Sequence, residues 1–299
     1  MYAFVFAEKA SYPIALMCRV LEVNRTAFYA WTDRTPSKRE TANVALTERI
    51  VEIHAENLKA YGSRRIHAEL RFADNLRVGL TRVERLMREA KISGLVKRRR
   101  GKTTISVTGV RTAADLVERD FNPQAPDRLW TADITYIRTW EGWLYLASII
   151  DCYSRRIVGW SMADHLRHEL VVDALNMAID RRRPGRGLIH HSDQGSQFTA
   201  LVFGQRCRLA GINISMGSRG DCFDNAVCES FHASIKKELL HRHSWPTKAE
   251  ARTAVFEYIE TFYNQRRRHS TLGYIAPALY EAQYEEAMSN NGKEEQQAA

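Results

Sequence analysis

The sequence predicts an α/β protein: a mixed five-stranded sheet flanked by helices, preceded by a purely helical region. Three observations carry this. Through the first third of the chain, apolar residues recur only at helical spacing. Pro123 and Pro126 then close a stretch, Gly101 to Asp127, in which periodicity fades. Beyond it, β-rich and amphipathic runs alternate in the order βββαβαβα, which requires a sheet with helices on its faces.

The expected division is 1–57, a helical segment; 58–102, a basic helix-turn-helix-like region; 103–127, a linker; 128–245, the α/β core; 246–288, a helical basic extension; and 289–299, a flexible tail. Residues 12–32 read as helix, turn, helix, with Pro13 opening the first and Asn24 capping the second. Ser37 to Asn57 carries apolar residues at helical spacing beneath a charged outer face. From Tyr61 the pattern is helix, break at Gly79, helix, with Ser63 and Thr81 as expected caps. In the second of these helices Val83, Leu86 and Met87 point inward, and Arg82, Arg85 and Arg88 point largely outward.

Leu129 to Arg138, Trp143 to Asp151 and Arg156 to Met162 are strand-like runs with tight connections, an antiparallel meander. A helix over Glu169 to Arg181, a buried strand over Leu188 to Ser192, a helix over Ala200 to Ala210 and a strand over Ile212 to Met216 follow. Asp224 is the expected cap of a helix from Asn225 to Leu240. This order is that of an RNase H-like core. Thr247 to Tyr263 adds a helix, Asn264 to His269 a basic segment, and Pro277 to Ala287 a last short helix.

The chain has 299 residues and 44% hydrophobic content, enough for real cores. Its net charge of +9 lies wholly in residues 1–120, where 23 Lys and Arg face 14 Asp and Glu. Leu58 to Lys102 alone holds 14 basic and four acidic residues, ending in Lys97, Arg98, Arg99, Arg100 and Lys102. Such a concentration points to a polyanion partner. Five cysteines, with no Cys-x-x-Cys pair, read as reduced and cytoplasmic. Cys222, Cys228 and His232 lack the fourth ligand a zinc site needs. Neither a signal peptide nor a membrane span is expected.

Three carboxylates carry the chemistry. Asp133 shares one face of its strand with Thr131 and Thr135, Asp193 ends the fourth strand, and Glu229 lies on the following helix, 35 residues beyond Asp193. Lys236, two turns after Glu229, shares nearly its face, whereas Val227, Phe231 and Ile235 lie on the other. Converging acids repel unless divalent cations neutralise them, so convergence implies a metal site suited to phosphoryl transfer. Singly, each acid has a structural explanation: a strand hydrogen bond, a turn, a solvated helix position. Asp151 is expected to bond Ser154 or Arg155, and His190 and His191 point to opposite sides of their strand.

The motifs Trp130-Thr-Ala-Asp133-Ile-Thr-Tyr-Ile, Ile150-Asp-Cys-Tyr-Ser-Arg155-Arg-Ile-Val-Gly-Trp160, His191-Ser-Asp193-Gln-Gly-Ser-Gln-Phe198, Asp224-Asn-Ala-Val-Cys-Glu229-Ser-Phe and Phe262-Tyr-Asn-Gln-Arg-Arg-Arg-His269 occur in order. With Tyr61-Gly-Ser-Arg-Arg-Ile, they resemble the downstream reading frame (OrfB-like) of bacterial insertion-sequence transposases of the IS-three family, relatives of retroviral integrases. The resemblance implies that Asp133, Asp193 and Glu229 are a catalytic triad holding two Mg2+ ions, with Mn2+ able to substitute, and that Lys236 is the basic companion. It implies cleavage at an element end and joining of the freed 3′-hydroxyl to target DNA, by multimers on paired ends.

Arg64, Arg65, Arg82, Arg98, Arg99, Arg100, Arg266 and Arg267 are the expected further DNA contacts. An upstream-frame (OrfA-like) protein, separate or fused by frameshifting, is the expected partner, since no four-heptad zipper is present here. The zinc module of retroviral integrases is also missing. Two alternatives stay open at this point: a metal-dependent nuclease without strand transfer, and a DNA-binding regulator of transposition without catalysis. Localisation is expected to be cytoplasmic, and nucleoid-associated when bound to DNA.

Overall fold

The structure, a computed structural model, describes residues 1–95, 115–117, 120–217 and 226–297, with side chains to 290. The expected contacts Arg98, Arg99 and Arg100, with Lys97, Lys102, Cys222 and Asp224, lie outside the described residues.

Three short helices, α1 (Tyr2–Ala7), α2 (Ile14–Val20) and α3 (Arg25–Thr32), close around Val5, Met17, Cys18 and Phe28. Helix α1 was not expected from the sequence. It forms because Tyr2 and Phe6 find aromatic partners in Phe28 and Trp31, a tertiary gain that a six-residue helix needs. The Asn24 side chain accepts from the backbone N–H groups of Thr26 and Ala27, as expected of a cap. Helix α4 (Lys38–Glu56) opens on a capping box in which Ser37 and Glu40 each accept the other's backbone N–H.

Helices α5 (Ser63–Phe72) and α6 (Leu80–Glu89) complete the N-terminal region. Their expected caps are corrected: Gly62 and Gly79 occupy the cap positions, and neither Ser63 nor Thr81 caps. Ser63 falls one residue inside α5, where its hydroxyl turns to Glu84 on α6 instead.

Strands β1 (Leu129–Thr139), β2 (Gly142–Asp151) and β3 (Ile157–Ala163) form the antiparallel meander. After α7 (His168–Arg182), strand β4 (Ile189–Ser192) joins β1 in parallel. After α8 (Leu201–Leu209), strand β5 (Asn213–Met216) joins β4 in parallel, giving the sheet order β3-β2-β1-β4-β5. Pleat alternation splits β1 as expected. Trp130 and Ala132 face α7 and α8, whereas Thr131 and Asp133 face α9 (Ala226–Glu238).

Helix α7 lies so close to β3 that a Cβ on Gly159 would stand 2.3 Å from the Ala174 carbonyl oxygen and 2.7 Å from Ala178 Cβ. Gly159→Ala is therefore expected to cost about 1–3 kcal/mol, because backbone rather than a flexible side chain must yield. Thermal unfolding checks this, and an unchanged midpoint would contradict the close approach.

The other face carries the larger cluster. Leu46 and Ile50 of α4, Ile66 and Leu70 of α5, and Val83 and Leu86 of α6 join Phe231 and Ile235 of α9 and Leu144 and Leu146 of β2 in one buried group. Helix α9 is thus clamped between the sheet and the helical region. Helix α10 (Lys248–Glu257) adds Ala251 and Val255, then widens into a π turn over Tyr258–Tyr263 that buries Tyr258, Ile259, Phe262 and Tyr263.

The last helix, α11 (Pro277–Gln297), is longer than expected. It continues to Gln297 through a stretch in which Lys, Glu and Gln favour helix. Near its start Glu281, almost fully buried, accepts from Ser154, Arg156 and Arg182. Asp151 takes the structural role expected of it, accepting from the backbone of Tyr153, Ser154 and Asp127 and from the Ser154 hydroxyl. Burial pushes its carboxyl up to about 6 against these bonds.

Candidate active site

The parallel pairing of β1 with β4 ends at Thr131 opposite His191. Two residues further along each chain come Asp133, still on β1, and Asp193, one residue past the end of β4, which makes the two acids neighbours. Their charges interact. Burial raises the Asp193 carboxyl above the usual carboxylate range, the neighbouring Asp133 charge adds to that, and the Gly195 N–H donated to Asp193 Oδ1 at 3.0 Å opposes it.

Asp133 is oriented from α9. Its Oδ2 lies 3.3 Å from His232 Nδ1, and His232 Nε2 lies 2.9 Å from the hydroxyl of Ser148, the residue paired across from Asp133 on β2. An ionised carboxylate only accepts, so Nδ1 carries the proton and, in the neutral ring, Nε2 accepts from Ser148. Asp133 Oδ1 meanwhile accepts from the N–H of Ile134. His232 is a site residue that sequence reasoning missed, having weighed it only for zinc. The signal was present in its spacing: Glu229, His232 and Lys236 stand at i, i+3 and i+7 on one side of α9.

Lys236 reaches the same place. Burial lowers its ammonium below the usual lysine range, while the negative charge of Asp133 acts in the opposite sense. Its Nζ stands 5.0 Å from the ring centre of Tyr136. Glu229 occupies the exposed first turn of α9. The structure brings Asp133, Asp193, His232 and Lys236 together, but among the described residues no three acid, His or Cys side chains form a group that could hold one ion. The described donor set is still the right kind for a hard divalent cation: two adjoining carboxylates whose mutual repulsion a cation would relieve.

The expected DNA contacts divide into available and engaged side chains. Arg64 is exposed at a cleft of about 710 Å³ that Arg65 and Arg88 also line. Arg266 is exposed. Arg82 is half-buried and donates to Asn43 of α4, and Arg65 stands 3.6 Å from Glu238.

Arg267 is a correction. It is 3% exposed, and its guanidinium grips both oxygens of Glu238 at 2.7 and 2.8 Å and the Ser234 hydroxyl at 3.1 Å, so it braces α9 and cannot meet DNA. Its neighbour Arg268 is likewise committed, holding both oxygens of Glu69 on α5.

A five-stranded sheet in this order, with Asp133 on its central strand and Asp193 just past the adjoining one, is the arrangement of an integrase-core polynucleotidyl transferase. Family models agree: integrase core domains match residues 123–222 and 210–277, and an HTH-like domain matches residues 41–100. The 31 kDa protein of insertion element IS600 from Shigella sonnei is 40% identical over 90% of this chain and 98% of its own. The transposase InsF of insertion sequence IS3A from Escherichia coli is 34% identical over 94% and 98%. The chain belongs to the IS3 family of insertion-sequence transposases. Among solved structures, the magnesium complex of the HTLV-2 integrase catalytic core is similar at 19% identity, covering 50% of this chain and 92% of that one, with a TM-score of 0.39.

Proposed function

We propose that Asp133, Asp193 and Glu229 are the acidic triad of this transposase, and that they hold two Mg2+ ions, or Mn2+ in their place, during DNA cleavage and strand transfer. The observation that carries the proposal is the neighbouring pair Asp133 and Asp193 with its interacting charges. Divalent ions held there would activate a water or a 3′-hydroxyl and neutralise the departing oxygen. The chain's own residues do the rest. His232, braced by Ser148, fixes the Asp133 carboxylate, and Lys236 offers a cation to the phosphate beside it. Glu229 stands in the first turn of α9 and is not grouped with the two aspartates among the described residues; in this reading it joins them when ions and DNA are bound.

The substrates in this reading are the element's ends and target DNA. Arg64, Arg82 and Arg266, with Arg98, Arg99 and Arg100, are the proposed backbone contacts, and Arg65 joins them at the rim of its cleft. The working form is proposed to be a homo-oligomer on paired ends, in the bacterial cytoplasm, with an upstream-frame protein supplying end recognition. No described helix is long and apolar enough to cross a membrane.

The test is a pre-cut terminal-repeat DNA incubated with plasmid, Mg2+ and this protein, with and without the upstream-frame product. Covalently joined DNA that requires Mg2+ is expected. Hydrolysis without joining would reduce the activity to that of a nuclease, and no metal-dependent product in either mixture would leave a DNA-binding regulator.

A further inference from the structure

Beside Lys236, away from the carboxylates, lies a pocket of about 620 Å³ between the tip of the β1–β2 hairpin and the segment after α9. Tyr136, Trp140 and Trp143 line it and are 59%, 77% and 47% exposed, an unusual concentration of large rings left in water. Tyr136 and Trp143 meet edge to face at 5.2 Å. Its basic lining consists of Arg138, Lys236, His241 and His243, and among the described residues no Asp or Glu lines it.

The nearest carboxylate on the hairpin, Glu141, is directed away, accepting the N–H of Lys248 at the start of α10. Rings for stacking and cations for phosphate, without counter-charge, are the chemistry of a single-stranded nucleic-acid platform. The hairpin tip is held in place, since the Trp140 N–H donates to the Trp245 carbonyl and the Thr139 hydroxyl to that of Gly142.

We propose that this pocket takes an unpaired nucleotide of the DNA strand engaged at the carboxylates, its base against Tyr136, Trp140 and Trp143 and its phosphate beside Lys236 and Arg138. Tyr136 lies three residues along β1 from Asp133, a rise of about 10 Å, with its ring on the opposite face of the strand, where Lys236 reaches it from α9. Lys236 links the two places, influenced by Asp133 on one side and lying over Tyr136 on the other. The inference rests on the transposase reading but not on the ions.

The experiment is binding by the full chain in EDTA. One probe is a duplex with a short unpaired 3′ tail carrying 2-aminopurine, and the other is a fully paired duplex with the same label. Emission from the tail is expected to be quenched on binding, and Trp140→Ala and Trp143→Ala are expected to weaken tail binding about ten-fold and relieve the quench. Affinity for the paired duplex should stay unchanged, and Trp143→Phe should restore tail binding. Equal losses on both probes, or a quench that survives both substitutions, would overturn the proposal. Trp140 is too exposed to carry the fold, so that variant decides the matter if Trp143→Ala unfolds. Because metal is absent, this outcome is independent of the triad's ability to hold Mg2+.

Discussion

Asp193→Asn is expected to abolish cleavage and strand transfer while making the metal-free protein more stable. Losing a carboxylate ligand removes several kcal/mol of transition-state stabilisation, a fall in rate on the order of 10³-fold or more. The direction of the stability effect follows from the raised Asp193 carboxyl, which desolvation by its surroundings causes and the Asp133 charge reinforces, although the residue keeps contact with solvent and the gain is correspondingly small. An acid whose folded pKa is raised contributes stability that is fully present below its unfolded value and is lost as pH rises through the folded one. At neutral pH the native state therefore bears the repulsion of two adjoining carboxylates, and the amide removes it. Mg2+ should raise the melting temperature of the wild type and leave the variant unmoved. Full activity in Asp193→Asn would remove it from the triad, and a lower metal-free melting temperature would contradict the repulsion.

Glu238→Ala is expected to be the most destabilising of the substitutions considered, by about 3–5 kcal/mol, because it strands the buried Arg267 guanidinium without its partner. That corresponds to a fall of roughly 10 °C in melting temperature. Glu238 also accepts from the Tyr258 hydroxyl at 2.7 Å, so three elements loosen together: α9, the π turn and the basic segment after it. Replacing both partners with apolar residues of similar size, Glu238→Met with Arg267→Met, should recover most of the loss.

The pH dependence has a definite sign. Burial works to raise the Glu238 carboxyl, but the hydrogen bond and charge of Arg267 outweigh it and the net shift is downward. Its contribution is therefore present above the ordinary glutamate range and is lost as pH falls through the lowered value. Acid unfolding of the wild type against the double variant measures this. A single variant as stable as the wild type would show that the pair does not brace α9.

The acids were legible in the sequence because each sits at a place that local pattern defines: a strand face, a strand end, a helix turn. His232 was legible only as a member of the Glu229–Lys236 stripe, since its role depends on the β1–β2 register that puts Ser148 opposite Asp133 and on α9 lying over that pair. The short helix α1 was missed for a similar reason, as its stability comes from Phe28 and Trp31 rather than from its own six residues. The caps of α5 and α6 misled because Ser63 and Thr81 resemble capping residues wherever they stand, whereas the backbone turns at the glycines before them.

The sequence by itself determined the order of helices and strands, the alternation that turns Asp133 away from α7, and the identity of the candidate acids. These follow from periodicities of two and 3.6 residues, which are properties of neighbouring positions. Only the tertiary structure decided what the arginines do. Arg266, Arg267 and Arg268 are chemically alike and adjacent, yet the first is exposed, the second is locked onto Glu238, and the third onto Glu69, 199 residues away in sequence. A guanidinium faces outward or inward according to whether a carboxylate from a distant element meets it in the interior, and no local pattern carries that information.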